Sequence, residues 1–314
     1  MNIGIDFGVM LARELPGCFD NHVHTWLSDG SQSPDQVCRL AREAGVQHLG
    51  ITDHNVLLSE EEAERLSTKW HLDVIPGVEL STVYQREGRK TLLHLGLHWL
   101  PDSGPGVAEL MAHNQGQPRE ERYVLRMLEM LFDLGLDPSH AGPEASLQMI
   151  RKAHPESLEL GKRAVGDLLA DQGLVSSRAE AMEKYVGQHG QRLCYVDQAE
   201  VLDYAPLEWV MEVVQKNPGC VCTLNHPYHY GLEAAELDRL MQDIHDLGVH
   251  AVEVIYPKHD RARERALLRY CRRHGFLVNA GSDRHDPEKD FLLADPMVFS
   301  KLRDFHNECL ADLQ

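Results

Sequence analysis

The 314-residue sequence lacks a long hydrophobic run and any cysteine pair of the CxxC type, and acidic residues clearly outnumber basic ones. No stretch approaches the roughly 20 apolar residues that a membrane-spanning helix requires. The first residues, Met1 to Asp6, lack the basic segment and long apolar core of a signal peptide. These absences predict a protein that neither spans a membrane nor is exported through a signal peptide.

The cysteine count and the charge narrow the class further. The seven cysteines are scattered and odd in number, which favours reduced thiols in the cytoplasm over a disulfide framework. The formal net charge of −18 argues against long nucleic acid as a partner, because phosphate contacts require a basic surface. A small phosphorylated substrate stays possible, since bound cations make a site locally positive. The sequence predicts no oligomeric state.

Seven short apolar runs, rich in Val, Ile and Leu, have the composition of strands in a parallel sheet covered on both faces. Helical segments alternate with them. The first, at Ser33-Pro34-Asp35-Gln36, has an N-cap serine, an early proline and a capping-box glutamine. This alternation predicts an α/β architecture. The predicted strands cover residues 17–24, 47–53, 73–80, 91–98, 219–226, 250–256 and 276–283.

The alternation is interrupted between residues 108 and 218, where the sequence predicts helices alone. Helices without intervening strands indicate a subdomain inserted between the fourth and fifth strands. We therefore expect a discontinuous barrel, residues 1–108 and 203–314, and a helical insert, residues 109–202. The helices predicted in this region cover residues 119–134, 145–152, 162–171, 177–187 and 206–216.

Histidines or carboxylates lie at the C-terminal ends of most of these apolar runs. Singly, each would be an ordinary hydrogen-bonded residue, but in a barrel the active site lies at the carboxyl ends of the strands. Residues two apart in a strand point to the same side, so His22 and His24 can bind one ion together, and Glu79 can bridge two ions. Imidazole with carboxylate suits zinc, manganese or iron, and two or more such ions are typical of phosphoryl chemistry. The candidate ligands are His22, His24, Asp29, His54, Glu79, His94, His226, Asp283 and His285.

The ordered motifs resemble those of the polymerase and histidinol phosphatase (PHP) family. They are an HxH with a downstream Asp-Gly, then TDH, GVE, a strand histidine, HP and GSDxH, and they occur in both halves of the predicted barrel. The resemblance implies a distorted seven-stranded (β/α)7 TIM-like barrel, a metal-dependent phosphoesterase activity, and an insert that caps the active site.

The resemblance also implies how the ligands are shared among two or three divalent ions (Mn, Zn or Fe). Every position of the family's ligand set is intact, and Glu79, Asp283 and His285 are the candidate catalytic residues. Asp53, beside a ligand on its strand, is expected to orient the ligands rather than to bind metal. The three implied positions are held by His22, His24, Glu79 and Asp283; by Glu79, His94 and His226; and by Asp29, His54 and His285.

Residues outside the metal set bear on the substrate. Lys162 and Arg163 begin an insert helix, where N–H groups also favour an anion, although a solvated charge pair is an equally good interpretation. The nearby Arg119, Arg122 and Arg126 are better explained as a solvated face. His259 is a further candidate near the substrate.

His229 marks a departure from the family pattern. Relatives that remove the 3′-phosphate from nucleoside 3′,5′-bisphosphates have an arginine two residues after the proline of the HP motif, where this chain has His229. Imidazole does not reproduce a bidentate guanidinium. The reaction class survives this change, but a nucleoside bisphosphate substrate is placed in doubt.

The sequence thus predicts hydrolysis of a small phosphate ester, a phosphomonoester or a cyclic phosphodiester, by a metal-bridging hydroxide. The general acid stays open between a metal-bound water, His285 and His229. The alternatives are an exonuclease acting on short oligonucleotides, which the charge disfavours, and a non-catalytic metal-binding module, which the complete ligand set disfavours. An amidohydrolase would share the barrel but usually carries a ligating lysine after the fourth strand, where this sequence has Leu97-His98-Trp99-Leu100.

Overall fold

Seven strands form one sheet in the order in which they occur in the sequence. The computed structural model describes residues 19–115, 117–158 and 160–311, so the predictions that concern residues 1–18, and the side chain of Arg119, lie outside the described part. The strands are β1 (Phe19–Val23), β2 (His48–Ile51), β3 (Asp73–Arg86), β4 (Arg89–His98), β5 (Val221–Leu224), β6 (Ala251–Ile255) and β7 (Leu277–Ala280).

The two edges of this sheet meet at one end. Val23, at the end of β1, forms a parallel bridge with Arg284, shortly after β7. Two backbone hydrogen bonds of 2.9 Å join the same segments, from Asp283 N–H to the His22 carbonyl and from His24 N–H to the Arg284 carbonyl. Together with the surrounding helices, this confirms the predicted α/β fold with a distorted seven-stranded barrel.

The prediction of parallel strands is wrong for β4, which runs antiparallel to both β3 and β5. A two-residue turn with positive φ at Glu87 (50°) and Gly88 (82°) joins β3 directly to β4, and such turns match the twist of a hairpin. His94 therefore lies in mid-strand rather than at a strand end. His98 ends β4 inside the barrel, where its Nε2 donates to the Asn21 carbonyl at 2.7 Å.

The helices of the barrel are amphipathic and pack on the outside of the sheet. α1 has the predicted capping box between Ser33 and Gln36 and ends at Gly45, whose φ is 93°. None of the helices in the described part of the chain combines the length and the apolar character needed to cross a bilayer. The helices are α1 (Pro34–Ala44), α2 (Glu60–Trp70), α3 (Val107–Asn114), α4 (Gln117–Asp133), α5 (Pro143–Ala153), α6 (Lys162–Asp171), α7 (Arg178–Ala181), α8 (Gln198–Val201), α9 (Leu207–Lys216), α10 (Ala234–Asp246), α11 (Arg261–His274) and α12 (Pro296–Ala311).

Helices α3 to α9 lie between β4 and β5, and α4 to α7 surround a hydrophobic cluster separate from that of the barrel. Val83 and Leu92, on the extended β3–β4 hairpin, pack against this cluster. The helix predicted over residues 177–187 is divided into α7 and a π-helical turn, Met182–Val186. The sequence did not predict α3, α8 or α12, and the domain boundaries themselves stay a prediction.

Asn114 forms hydrogen bonds at the point where the chain leaves the barrel and returns to it. Its side chain is fully buried. The amide nitrogen donates to Asn55 Oδ1 at 3.0 Å and to the Ser81 carbonyl at 2.6 Å, and Oδ1 accepts from Ala205 N–H at 3.0 Å. One side chain thus joins β3, the loop after β2 and the segment that follows α8.

Replacing Asn114 with alanine is expected to lower the free energy of unfolding by about 3 kcal/mol, because it leaves buried polar groups without partners. Urea denaturation measures this as a lower midpoint at an unchanged m-value. Glu109→Ala, at an exposed position of the same helix, is the control. Equal stability of the two variants would contradict the role assigned to Asn114.

Candidate active site

Glu79 lies at the centre of a cluster of histidines, and its carboxylate is completely buried. Both of its oxygens are surrounded by imidazole nitrogens that come from four different parts of the barrel. Oε1 lies 3.1, 3.4 and 2.9 Å from ring nitrogens of His22, His94 and His226, and Oε2 lies 3.3 and 3.1 Å from those of His24 and His54. The structure therefore brings the predicted strand-end histidines together around one carboxylate.

Asp29 and Asp283 extend this cluster on the side of His285. Asp29 Oδ1 lies 3.1 Å from His285 Nε2 and 3.9 Å from His54 Nε2. Asp283 Oδ1 lies 3.4 Å from His24 Nε2 and 3.5 Å from His285 Nδ1. All nine predicted ligands thus occupy one continuous site.

The backbone that presents these side chains has unusual conformations. His226 follows β5 with a φ of 30°, and Asp283 follows β7 with a φ of 52°. Positive φ is uncommon for residues other than glycine, and such strain concentrates at functional sites. His94 needs no such turn, because it lies opposite Ser81 in the β3–β4 register and so shares the inner face with Glu79.

Gly281, the first residue of the GSDxH motif, is required by packing. A Cβ at this position would lie 2.2 Å from the Cβ of His22 and 2.6 Å from Glu253 Oε1. Real Cβ contacts are never this short, so a larger residue would displace His22. The glycine of the motif therefore keeps a ligand in place although it binds nothing itself.

Glu253 is a supporting residue that sequence reasoning missed. Its Oε1 lies 2.9 Å from His22 Nδ1, and its Oε2 accepts from the His226 N–H at 2.8 Å. A carboxylate on the second nitrogen fixes the orientation of a metal-binding imidazole. The available signal was an acidic residue within the apolar run of β6, since buried carboxylates are rare unless paired.

Asp53 supports the loop that carries Asp29. One carboxylate accepts from the backbone N–H of Thr25 (2.7 Å) and of Ser28 (3.2 Å), and from both hydroxyls at 2.6 Å. Asp53 thereby fixes the segment between His24 and Asp29.

Burial and charge act in opposite directions on these groups. Burial alone would raise the pKa of Glu79, but the neighbouring His22, His94 and His54 hold that pKa well below its ordinary value. Burial alone would lower the pKa of His24, but Asp283 and Glu79 raise it to about 9. For His54 burial prevails and lowers the pKa to about 3. Without metal, His24 therefore carries a proton at neutral pH while His54 is neutral.

The donor atoms of the site are better suited to binding divalent metal ions than to forming hydrogen bonds with one another. Buried polar atoms are normally hydrogen-bonded, yet several here have no such partner among the described residues: His24 Nδ1, Asp29 Oδ1, Glu79 Oε2, His94 Nδ1 and His226 Nδ1. Three groups of side chains place their donor atoms within 4.8 Å of one another. These groups are His24, Asp29, His54 and His285; His22, His24, Glu79 and Asp283; and His54, Glu79 and His94.

The structure places the four predicted substrate-binding residues in different surroundings. Lys162 and His229 line one cavity of about 130 Å³ beside His94. Arg163 points elsewhere, pairs with Asp286, and places its Nε 3.6 Å from Asp29 Oδ2.

His259, Arg122 and Arg126 lie outside the cavity that Lys162 lines. His259 donates to the Val254 carbonyl at 3.0 Å, packs against Tyr256 and borders neither this cavity nor the smaller one above Asp29 and His54. Arg122 and Arg126 are exposed, in keeping with a solvated face.

A family model described as "PHP domain" matches residues 20–271. The chain belongs to the PHP family. It is a metal-dependent phosphoesterase, as its motifs predicted, and the interpretation as a non-catalytic module is set aside.

Curated relatives cover most of the PHP chain at modest identity. A 5′-3′ exoribonuclease of Haemophilus influenzae is 24% identical, over 86% of this chain and 90% of its own. Phosphoribosyl 1,2-cyclic phosphate 1,2-diphosphodiesterase of Eggerthella lenta is 26% identical (85% and 93%), and 3′,5′-nucleoside bisphosphate phosphatase of Chromobacterium violaceum is 25% identical (85% and 87%).

Solved structures support the same fold. An amidohydrolase from Chromobacterium violaceum with bound sulfate has a TM-score of 0.74 at 22% identity, over 91% of this chain and 96% of its own. A protein from Bifidobacterium adolescentis, provisionally described as a metal-dependent phosphoesterase, has a TM-score of 0.72 at 21% identity (93% and 97%).

Gly281→Ala is expected to reduce metal retention, because the added methyl group displaces His22. Metal content after dialysis, measured by inductively coupled plasma mass spectrometry, should fall by about one equivalent or more, while far-UV circular dichroism verifies the fold. Gly161→Ala is the matched control, since a Cβ there has no atom within 4 Å. Wild-type metal content in Gly281→Ala would show that the close contact has no effect on the site.

Metal binding at pH 7 is expected to release protons. The pKa of His24 is about 9 in the metal-free site, and a metal ion binds only the neutral imidazole. The affinity for Mn²⁺ should therefore rise as the pH increases toward 9, by up to about tenfold per unit for each proton released.

Calorimetry in two buffers of different ionisation enthalpy measures this release directly. His24→Gln, although it also weakens binding, should release fewer protons per bound ion. Identical apparent enthalpies in both buffers would contradict the protonation state assigned to His24.

Proposed function

We propose that the protein hydrolyses a small phosphate ester, a phosphomonoester or a cyclic phosphodiester, with two or three divalent ions of Mn, Zn or Fe. The observation that carries this proposal is the convergence of eight further metal-type ligands around the buried Glu79, below a cavity of about 70 Å³ bordered by Lys162. The ligand groups would be His22, His24, Glu79 and Asp283; Glu79, His94 and His226; and Asp29, His54 and His285.

Bound ions would supply a water of lowered pKa and neutralise charge on the phosphate oxygens. Glu79 is placed to serve two ion positions because each of its oxygens faces a different set of imidazoles. Asp283 is held on its other oxygen by the Tyr256 hydroxyl, which donates at 3.0 Å. Nδ1 of His285 lies 2.9 Å from the Asp283 carbonyl, and its Nε2 lies 3.1 Å from Asp29 Oδ1. His285 thus connects Asp283 to Asp29.

Lys162 is the residue best placed to hold the phosphate. It makes no ion pair with a carboxylate in the described part of the chain, and it borders the small cavity together with His54 and His94. Its helix, α6, begins at Lys162. The N-cap residue, Gly161, has no side chain that could accept hydrogen bonds from the first N–H groups. An ammonium group and free helical N–H groups together favour an anion at this position.

His229 contributes a neutral group to the cavity of about 130 Å³, which Lys162 also borders. Burial and, to a smaller extent, the nearby His226, Lys258 and Lys162 together lower its pKa to about 3. A neutral imidazole offers a hydrogen bond but no positive charge and cannot act as a general acid at neutral pH. We therefore assign protonation of the leaving group to water, since burial lowers the pKa of His285 as well.

An exonuclease acting on short oligonucleotides is the second candidate. The exoribonuclease relatives support it, and Arg89 and Lys90 extend the Lys162 cavity outward along the β3–β4 hairpin. The net charge of −18 opposes the binding of long nucleic acid. We propose a small phosphorylated substrate and a cytoplasmic location, which the free thiols of all described cysteines support.

A screen of the manganese-reconstituted protein tests the proposal. It includes a nucleoside 3′,5′-bisphosphate, histidinol phosphate, a ribose cyclic phosphate and a 5′-phosphorylated tetranucleotide. Glu79→Gln is expected to lower kcat/KM by more than about 100-fold, since even residues that only support metal ligands change activity by 10- to 100-fold. Retained hydrolysis in Glu79→Gln would overturn the mechanism, and turnover of the tetranucleotide alone would favour the exonuclease.

A further inference from the structure

A second cavity, of about 370 Å³, adjoins the small cavity above the metal-type ligands. Asp29, Leu160 and Gly161 border both spaces. Lys162 borders only the smaller space and Arg163 only the larger one. The two spaces are therefore neighbours, so that a substrate held beside Lys162 lies next to the larger cavity.

The charges of the larger cavity do not suit another phosphate. Its two guanidinium groups already face carboxylates: Arg178 donates to both oxygens of Asp286, at 3.0 and 2.9 Å, and to Asp167, and Arg163 also pairs with Asp286. Four carboxylates of the described residues border this space, those of Asp29, Glu156, Asp167 and Asp286. An uncharged part of the substrate fits here better than a second anion.

The Lys162 cavity has the opposite balance. Among the residues that the structure describes, Arg89, Lys90 and Lys162 border it together with a single carboxylate, that of Asp197. The larger cavity and the cavity of about 130 Å³ on the other side of Lys162 therefore differ in charge, and the larger one is the better place for the uncharged part of a phosphate ester.

Trp26 offers an aromatic surface to that uncharged part. Its side chain borders the larger cavity and is 42% exposed. In the part of the chain that the structure describes, no other ring or cation stacks on the indole. Its loop is fixed, because Trp26 N–H donates to the Gln32 carbonyl at 2.8 Å and Asp53 holds Thr25 and Ser28 on either side. Further apolar wall is supplied by Ala153, Pro155, Leu160 and Ala164.

We propose that the larger cavity binds the aromatic base of a nucleotide substrate, stacked on Trp26, while the scissile phosphate lies beside Lys162. This inference rests on the proposed function and names the class of its substrate. The volume is in the range of small-molecule sites. Stacking on an exposed indole selects a planar base without requiring a particular hydrogen-bonding pattern.

Calorimetry of the manganese-loaded protein tests this subsite with two probes that resist hydrolysis, the methylenephosphonate analogues of adenosine 5′-monophosphate and ribose 5-phosphate. Trp26→Ala is expected to weaken binding of the nucleotide roughly tenfold more than binding of the sugar phosphate. Trp26→Phe should restore most of this difference, because it keeps an aromatic face. Phe132→Ala removes an equally exposed ring from α4, far from both cavities, and should change neither affinity.

Loss of affinity for both probes alike, or for neither, in Trp26→Ala would overturn the subsite. Failure of the proposed function is a separate result: the wild-type protein would then hydrolyse no phosphate ester, whatever the affinities. A Trp26-dependent preference for the nucleotide, measured by heat alone, would support the subsite even in that case.

Discussion

The buried carboxylate of Glu79 is the interaction on which the rest of the structure depends. A buried charge is strongly unfavourable unless opposite charges and hydrogen bonds compensate it. Here the Asn225 amide donates to it at 2.9 Å, and five imidazole nitrogens lie within 3.4 Å. Because those imidazoles belong to segments around the whole sheet, from β1 to the turn after β5, Glu79 can be compensated only when the sheet curves. The site therefore assembles only when the sheet curves into a barrel, and the sheet gains the compensation of Glu79 only in that form.

The helical insert is attached to the barrel through the loops that carry the metal-type ligands. Ser157 donates its hydroxyl to the Ser28 carbonyl at 2.6 Å, and Leu158 N–H donates to the Leu27 carbonyl at 2.8 Å, just before Asp29. Asp286, which pairs with two insert arginines, directly follows His285. The position of the insert is thus coupled to Asp29 and His285, and the walls of the substrate cavities are formed by both parts of the chain.

Sequence patterns predicted the strands and the candidate ligands because both depend on local periodicity. The direction of β4 was not predicted, since an apolar run has the same composition in either direction and only the turn at Glu87 and Gly88 marks a hairpin. Glu253 was missed because its partners are ring and backbone atoms distant in sequence. The separation of Lys162 from Arg163 could not be foreseen either, because neighbours at the start of a helix point in different directions and the cavities depend on tertiary packing.

In the proposed function, the net negative charge of the protein and the basic residues of the Lys162 cavity together select substrates by size. Exposed charges act over about 8 Å at physiological ionic strength, so a protein of net charge −18 repels every phosphate of a long polyanion that stays outside. The single phosphate of a small ester instead reaches Lys162, where burial strengthens the attraction. His229 adds a hydrogen bond there but no charge, since its pKa is about 3. The HP motif therefore supplies no second cation to a phosphate held by Lys162, and the other cations near it are Arg89 and Lys90 of the same cavity and Lys258 beside His229.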